Sequence, residues 1–441
     1  MDVLQVGLIG LGTVGSGVAR IISDKAAWLE KRAGMPVRLK RVAELDLRRK
    51  EGLPLGEATV STQVEDILED PDISVVIELI GGIEPAKTFL LSAMSRKKHV
   101  ITANKALISS HGQEIFQHAL KQQVEIGFEA AVAGGIPLIR SFKEGLAVDR
   151  MLSIAGIING TANYILSSMT EKGLEFSECL QEAQAHGYAE ADPTLDIEGQ
   201  DTAHKLAILV ALAYGKQIHP QDIYTEGIVR ITGMDIRYAL ELGYRIKLLA
   251  LAKIHEGKLE VRVHPTMIPS SHMLAMVGQA FNAVYVVAED TGPVMFYGKG
   301  AGMMPTGSAV VSDLVAIARN IRSGAPARLP PLGFYSSSVQ DIALQKMEDL
   351  VAKYYIRFPA MDRPGVLSKI SGALGEHGIS IHSVIQHGRQ EKGPVNVIML
   401  THEAREQDLL KALAVVDGLE VILDRSLYIR IEDSFDPVPS E

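Results

Sequence analysis

The chain has 441 residues, of which 47% are hydrophobic and 22% charged, and its formal net charge is -9. This length predicts two or three domains, and the composition is typical of soluble globular proteins. The negative charge argues against a nucleic-acid partner, and no apolar run reaches the length of a membrane span. The single cysteine, Cys179, excludes an internal disulfide and a cysteine-based zinc site. With no signal-peptide pattern at the N-terminus, we expect a cytoplasmic protein.

The first predicted elements are a short strand over residues 3–9, a glycine-rich loop and a helix. The loop reads Gly10-Leu11-Gly12-Thr13-Val14-Gly15 and fits the G-x-G-x-x-G pattern of dinucleotide sites. Gly10 permits a tight turn, Gly12 lets the backbone approach a pyrophosphate, and Gly15 allows close packing of helix on strand. The free N–H groups at the helix N-terminus would bind the pyrophosphate. The sequence therefore predicts a nucleotide site at residues 10–15.

The second predicted strand, over residues 37–43, ends at acidic and basic side chains that favour different cofactors. Glu44 and Asp46 could accept hydrogen bonds from a ribose 2′-hydroxyl, which is typical of NADH sites. Arg48, Arg49 and Lys50 follow directly and could hold the 2′-phosphate of NADPH. The sequence leaves the choice between NADH and NADPH open.

Two further strands, over residues 73–80 and 99–104, place their terminal loops at the crevice of an open α/β sheet. Lys105 directly follows the second of these strands, where cofactor and substrate are expected to meet. It could anchor a phosphate or carboxylate, donate a proton, or be a plain surface lysine. Its position favours a role in the site.

A strand predicted over residues 124–129 opens into a segment of small residues, 130–137. Such a segment brings backbone carbonyl groups together, and with Glu129 these could bind a monovalent cation. A tight crossover between domains explains the same residues equally well. Further along, an apolar strand over residues 153–158 leads into Asn159 and Gly160, which could face a substrate or only form a turn.

The segment from Gly187 to Lys205 is rich in acidic residues and runs into an apolar helix. Asp201 and Lys205 are four residues apart and therefore share one face of that helix. Because the helix is apolar almost all round, we expect it to be buried, and buried charges are rarely without a partner or a task. A surface ion pair at a helix start is the alternative interpretation.

The rest of the middle region predicts a mixed sheet with helices on one side. A glycine-rich turn at residues 298–302 precedes a helix at about 305–325, which we expect to return to the nucleotide-binding domain. We therefore predict a dinucleotide-binding domain over residues 1–135 and an α+β domain over residues 136–304. Residues 322–349, which contain several prolines, are predicted to be a linker.

The last part of the chain, residues 350–432, has the element order βαββαβ of a ferredoxin-like unit. Its first helix opens with Asp362-Arg363-Pro364-Gly365-Val366-Leu367, and His377-Gly378-Ile379-Ser380-Ile381 leads into its second strand. Both segments resemble those of ACT domains, which sense small molecules and usually pair through their sheets. A mere dimerisation module is the alternative. Residues 433–441 are predicted to be a flexible tail.

Four motifs occur in the order and spacing of one enzyme family: residues 10–15, Thr-Ala-Asn-Lys at 102–105, the segment 187–205 and Gly-Ala-Gly at 300–302. Along nearly its whole length the chain resembles homoserine dehydrogenases, which reduce L-aspartate 4-semialdehyde to L-homoserine with NADPH or NADH. The resemblance implies an α/β fold with a Rossmann-like domain, an α+β catalytic domain and a ferredoxin-like ACT domain. It also implies a step toward threonine, methionine and isoleucine, a homodimer or homotetramer, and feedback inhibition by threonine.

The resemblance assigns roles to individual residues. Lys205 and Lys105 would flank the reacting carbonyl group, with either one donating the proton. Asp201 and Glu190 would hold the substrate ammonium and orient the lysine, with Asp196 nearby. The other implied contacts are Gly160 and Tyr188 for the substrate; residues 10–15, Lys105 and Gly302 for the cofactor; the Glu129 side chain and the carbonyls of Val132, Gly134 and Ile136 for Na⁺ or K⁺; and Asp362, Gly365 and Val366 for the effector.

Physical chemistry supports this assignment over two alternatives. Hydride addition to an aldehyde makes an alkoxide, and a lysine kept charged by Asp201 can both stabilise and protonate it. An aspartate-semialdehyde dehydrogenase would need a nucleophilic cysteine, and the acidic surroundings of Cys179 disfavour a thiolate. A non-catalytic amino-acid sensor would be expected to lack Lys205 or Asp201, and both are present.

Overall fold

The computed structural model describes residues 3–335, 342–387 and 394–435. Two sheets organise these residues, one of six strands and one of eleven. Within the described ranges, no helix is both long enough and apolar enough to cross a bilayer.

The six-stranded sheet is the centre of the N-terminal domain. Its strands are all parallel and lie in the order β3-β2-β1-β4-β5-β6. Because the order reverses between β1 and β4, ligands are expected outside the carboxyl ends of these strands, and the predicted Rossmann-like fold is confirmed. The elements are β1 (Leu4–Ile9), α1 (Thr13–Asp24), α2 (Ala26–Ala33), β2 (Val37–Ala43), β3 (Thr59–Ser61), α3 (Glu65–Leu68), β4 (Ile73–Glu78), α4 (Ala86–Ser95), β5 (His99–Thr102), α5 (Lys105–Gln122) and β6 (Ile126–Gly127).

Two strands of this sheet end earlier than the sequence predicts. β4 stops at Glu78 because its buried carboxylate accepts the N–H groups of Ile80 and Gly81 and so closes a turn. The strand predicted over residues 124–129 is reduced to β6, and Glu129 opens a short 3-10 turn. The Glu129 side chain therefore lies beyond the sheet.

The middle domain is built on five long strands with helices on one face. The strands β12, β11, β7, β9 and β10 pair antiparallel in that order, and α7, α10 and α11 cover one face. The elements are α6 (Leu138–Arg140), β7 (Met151–Ile157), α7 (Gly160–Lys172), α8 (Phe176–Ala185), α9 (Thr194–Ile197), α10 (Gln200–Tyr214), β8 (Tyr224–Thr225), α11 (Gly233–Glu241), β9 (Tyr244–His255), β10 (Lys258–Pro269), β11 (Phe281–Ala288) and β12 (Gly292–Lys299).

A last helix, α12 (Met303–Arg322), returns from the middle domain to the N-terminal one. Its buried Val310 and Leu314 belong to the same apolar cluster as the buried face of α1. Gly17 of α1 and Gly307 of α12 allow the two backbones to approach closely, because a Cβ at either position would press on the other helix. The returning helix predicted at about 305–325 is thus present.

The C-terminal domain has the predicted βαββαβ order and an antiparallel sheet in the order β17-β13-β15-β14. One feature of this sheet is not evident from the sequence. β17 also pairs, parallel, with β10, so the middle and C-terminal sheets form one continuous sheet. The elements are β13 (Val351–Met361), α13 (Val366–Glu376), β14 (Ile381–Ile385), β15 (Pro394–Thr401), β16 (Ala404–Arg405), α14 (Glu406–Asp417) and β17 (Leu427–Ile431).

Two segments predicted to be irregular are packed where the structure describes them. In the predicted linker, Leu259 of β10 exchanges backbone hydrogen bonds with Ala343 and Gln345. In the predicted flexible tail, Phe435 is 3% exposed and packs on His272 and Tyr285. The prediction of flexibility is therefore wrong for residues 433–435, while residues 436–441 lie outside the described part of the chain.

Buried charges also join the middle and C-terminal domains. The carboxylate of Asp235, which is fully buried, binds Arg357 Nε at 2.7 Å and the Tyr355 hydroxyl at 3.0 Å. The same carboxylate accepts the backbone N–H of Thr232 at 3.0 Å, and the Thr232 hydroxyl oxygen accepts the N–H of Asp235 at 3.4 Å, which together form the capping box of α11. Asp235 therefore links α11 of the middle domain to β13 of the C-terminal domain through hydrogen bonds.

We expect Asp235→Ala to lower the free energy of unfolding by about 3–5 kcal/mol, because it leaves the Arg357 guanidinium without its buried partner. Urea unfolding and the melting temperature measure this change. Glu241→Ala, in the last turn of the same helix, is the control, since the pair of Glu241 with His387 is exposed and its loss is expected to cost about 0–1 kcal/mol. Equal losses in both variants would contradict the proposed tie between the domains.

Candidate active site

The glycine-rich loop has the geometry that a dinucleotide pyrophosphate requires. Gly10 adopts a φ of 99°, and a Cβ at Gly15 would collide with the Gly10 carbonyl oxygen. Above Gly12 the space is open: a Cβ there would find only Arg49 Nη1, at 3.8 Å. α1 begins at Thr13 and directs its N-terminus at this space. The loop therefore fits the predicted cofactor.

The acidic side chains after β2 already accept hydrogen bonds from protein groups. Glu44 accepts the N–H of Leu11 at 2.6 Å through one oxygen and that of Asp46 at 3.0 Å through the other. Asp46 binds Arg48 through two hydrogen bonds of 2.8 and 2.9 Å. Arg49 lies 3.7 Å from Glu44, and its side chain is 54% exposed. Arg49 is thus an exposed cation close to the loop, and Lys50 beside it is exposed as well.

Lys105 is placed by the start of α5. Asn104 caps this helix, because its side chain accepts the N–H of Leu107, and its amide also donates to the carbonyl of Gly82. The Lys105 ammonium then lies 3.0 Å from Asp201 of the middle domain. The two domains therefore meet at this ion pair.

Asp201 is the centre of the cluster and is only 6% exposed. One of its oxygens accepts Lys205 Nζ at 2.7 Å and Asn159 Nδ2 at 2.8 Å, while the other faces Lys105. Lys205 Nζ also donates to the carbonyl of Ile158 at 2.8 Å. The alternative of a surface ion pair between Asp201 and Lys205 is therefore wrong.

The charged groups of this cluster stabilise one another's ionised forms. Burial alone would raise the pKa of Asp201, but the ammonium groups of Lys205 and Lys105 hold it well below its usual range. The Asp201 charge in turn raises the pKa of Lys105 against the opposing effect of burial. Asp196 behaves differently, because burial raises its pKa more than the hydrogen bond from Asn159 lowers it. Asp201 thus remains a carboxylate beside charged Lys105 throughout the neutral range.

Asn159 is a residue of this cluster that the sequence interpretation left undecided. It caps α7 by accepting the N–H of Ala162, and its amide donates to both Asp196, at 2.7 Å, and Asp201, at 2.8 Å. It is therefore more than part of a turn. An asparagine directly before a helical pattern is an N-cap signal, but its two carboxylate partners follow about forty residues later and could not be read from it.

The other predicted substrate residues surround this cluster. Gly160 is the first residue of α7, and a Cβ there would lie 3.0 Å from the Ala280 carbonyl oxygen. Tyr188 is 45% exposed and packs on Tyr164, with ring centroids 4.8 Å apart and ring planes tilted by 40°. Glu190 is exposed, and its charge contributes to raising the pKa of Lys105. Their contacts with substrate stay predictions.

The predicted cation loop is buried beside the returning helix. Both oxygens of Glu129 accept N–H groups, from Ile139 at 2.8 Å and Arg140 at 2.9 Å. Burial, followed by the charge of Asp313, raises the pKa of Glu129 to about 7. Ala133 and Gly134 both have positive φ, and Gly134 packs on Gly300, next to Gly302 at the start of α12. Over the described ranges, no group of three or more His, Cys, Asp or Glu could hold a metal ion.

Cys179 has the wrong environment for a nucleophile. It is fully buried on α8, and burial, aided by the nearby Glu182, raises the pKa of its thiol to about 11. A thiolate is the nucleophilic form, so this cysteine cannot serve a thiol-dependent aldehyde dehydrogenase at neutral pH. The predicted exclusion of that alternative agrees with this environment.

The predicted effector residues lie at the start of α13. Gly365 caps this helix with a φ of 88°, Val366 is buried as its first residue, and Asp362 is half-buried in the loop before it. Their role in binding an effector stays a prediction.

Three family models match consecutive parts of the chain. They are described as "Homoserine dehydrogenase, NAD binding domain" over residues 10–129, "Homoserine dehydrogenase" over residues 137–315, and "ACT domain" over residues 354–420. The predicted domain types are thus found in the predicted order.

Similar proteins cover the chain almost completely. The homoserine dehydrogenase of Neisseria gonorrhoeae is 43% identical over 99% of this chain and 100% of its own length, and that of Pseudomonas aeruginosa is 44% identical over 98% and 99%. Among solved structures, a homoserine dehydrogenase from Thiobacillus denitrificans is 45% identical with a TM-score of 0.92, covering 98% of this chain and 99% of its own. One from S. aureus is 32% identical with a TM-score of 0.76 over the same shares. The chain belongs to the homoserine dehydrogenases, a family of NAD(P)-dependent oxidoreductases, and carries a C-terminal ACT domain.

Proposed function

We propose that this homoserine dehydrogenase reduces L-aspartate 4-semialdehyde to L-homoserine at the cluster formed by Lys205, Lys105 and Asp201. The observation that carries the proposal is the buried carboxylate of Asp201 between two ammonium groups, one from each domain. The glycine-rich loop belongs to the domain that carries Lys105, and the acidic segment 187–201 belongs to the domain that carries Lys205. A nucleotide and a zwitterionic aldehyde would thus each find complementary groups.

The lysines supply what the aldehyde oxygen needs during reduction. When bound, the nicotinamide cofactor provides the hydride, and negative charge then develops on the oxygen. An ammonium group has three N–H donors, and Lys205 uses two of them on Asp201 and on the Ile158 carbonyl. We assign the third donor to the aldehyde oxygen, so that Lys205 stabilises the alkoxide and protonates it. Lys105 provides a second positive charge at the same place.

The carboxylates divide into two roles. The Asp201 oxygens are occupied by Lys205, Lys105 and Asn159, so we assign Asp201 to holding the lysines. We assign the substrate ammonium to Glu190 and Asp196, whereas the family resemblance implies Glu190 and Asp201 for this role. The amide of Asn159 keeps Asp196 and Asp201 apart at a fixed distance, because it donates to both.

The monovalent cation is also part of the proposal. The carbonyl groups of Val132, Gly134 and Ile136 are the proposed ligands, and the positive φ angles of Ala133 and Gly134 support a turn in which carbonyl groups converge. The Glu129 carboxylate is assigned instead to capping α6, since both of its oxygens accept backbone N–H groups there. A homodimer or homotetramer and a cytoplasmic location stay predictions.

We expect Lys205→Ala to lower kcat/KM for aspartate semialdehyde by roughly 10²–10⁴-fold, because removing a general acid costs about that much. NADPH oxidation by the purified variant measures the loss, and circular dichroism checks that it is folded. Lys121→Ala, at the exposed end of α5, is the control and should keep full activity. Turnover of Lys205→Ala at the control's rate would refute the assignment.

Cofactor preference is the second testable part, and we propose that the enzyme prefers NADPH. Arg49→Ala should raise KM for NADPH by about tenfold to hundredfold, since hydrogen bonds to charged groups contribute about 1.5–3 kcal/mol. KM for NADH should change little, because NADH lacks the 2′-phosphate. Arg48→Ala is the control, as Asp46 already holds that guanidinium. An equal effect of Arg49→Ala on both cofactors would contradict the assignment.

Threonine is the proposed effector of the C-terminal domain. We expect millimolar threonine to inhibit the enzyme and Asp362→Ala to abolish this inhibition, because a carboxylate at the start of α13 can hold the effector ammonium. Initial rates with and without threonine measure both effects. Glu376→Ala, at the other end of the same helix, should stay inhibitable. If threonine changes neither rate nor cooperativity in the parent enzyme, this part of the proposal fails.

A further inference from the structure

Two helices from different domains make two separate polar contacts at the proposed active site. α5 of the N-terminal domain carries Lys105 in its first turn, and α10 of the middle domain carries Asp201 in its first turn. One turn further along each helix, Ser109 Oγ lies 2.7 Å from Nδ1 of His204. This second contact has no part in the chemistry described so far.

The rest of the contact between these helices is apolar or small. Ile108, Gly112 and Phe116 of α5 line a narrow gap together with Ala207, Ile208 and Ala211 of α10. Apolar contacts are non-directional, so they press the helices together without fixing how far one slides along the other. A hydrogen bond does fix this, because its strength falls steeply outside a narrow range of distance and angle.

We propose that the hydrogen bond between Ser109 and His204 is a latch between the two domains, which sets the register of α5 on α10 and so keeps Lys105 beside Asp201. Ser109 and His204 are then positioning residues for hydride transfer. The inference rests on the roles proposed above for Lys105 and Asp201. It also gives a reason for a histidine directly before Lys205, in a position where an apolar residue would continue the buried face of α10.

The electrostatics favour a neutral His204 in the latch. Burial lowers the pKa of His204; the charge of Asp201 opposes this, while those of Lys105 and His219 add to it. Ser109 Oγ donates its single proton to the Ala106 carbonyl of its own helix at 3.2 Å, so a neutral imidazole protonated at Nδ1 can donate to the same Oγ at 2.7 Å. A charged His204 would instead place a further cation next to Lys105.

The latch is tested by Ser109→Ala and His204→Leu, alone and combined. Each single change should lower kcat/KM for aspartate semialdehyde about fivefold to tenfold, the loss that one hydrogen bond of ordinary strength predicts, and the double variant should lose no more than the worse single one. His204→Asn keeps a polar group at the position of Nδ1 and should restore part of the activity. Ser110→Ala, at a neighbouring serine with no side-chain hydrogen bond among the described residues, should behave as the parent enzyme.

Two further readouts separate positioning from general destabilisation. The dissociation constant of NADPH should change much less than kcat/KM, since residues 10–15 are untouched and only the Lys105 contact shifts, while the primary isotope effect with 4-deuterated NADPH should grow because hydride transfer becomes slower. Losses that multiply in the double variant, or a Ser109→Ala enzyme with parental kinetics, would reject the latch. A crystal structure of Ser109→Ala decides the matter without turnover: a Lys105–Asp201 separation still near 3.0 Å would also reject it. An inactive parent enzyme would instead count against the proposed function.

Discussion

Burying a carboxylate costs several kcal/mol unless charged and hydrogen-bonding partners surround it. Asp201 meets this requirement with Lys205 from its own helix, Lys105 from the other domain and the amide of Asn159. Because one of these partners lies across the domain junction, the carboxylate is fully compensated only when the two domains are together. The burial of Asp201 therefore depends on the contact between the two domains.

The C-terminal domain is connected to this cluster by packed elements. β10 and β17 join the two sheets, and Arg357 of β13 holds Asp235 of α11. Helix α11 packs with α7 under the same sheet, and the N-terminus of α7 carries Asn159, which binds Asp201. A ligand that shifts β13 therefore acts on an uninterrupted chain of contacts that ends at Asp201 in the proposed active site. Such contiguity is what an inhibitory signal from this domain would need.

Local signals in the sequence predict much of this site, and contacts between distant segments account for the rest. The glycine-rich loop and the i,i+4 pair of Asp201 and Lys205 depend on neighbours within a few residues, so their patterns predict them correctly. β9 contains a short continuous apolar run at residues 248–252, which periodicity alone cannot distinguish from part of a buried helix. The pairing of β10 with β17 and the contacts of Asn159 with two carboxylates join residues far apart in the chain, and no local pattern encodes them.

The same charges determine how the cluster responds to pH. The lowered pKa of Asp201 contributes stability above the unfolded value of about 3.9, and this contribution is lost as the pH falls through the folded value. The raised pKa of Lys105 contributes stability below about 10.4, which is lost as the pH rises through its folded value. Neither group changes charge near neutrality. Burial shifts the pKa of Asp196 upward, so acid protonates Asp196 before Asp201. Its protonation removes a proposed partner of the substrate ammonium while the ion pair between the domains stays intact.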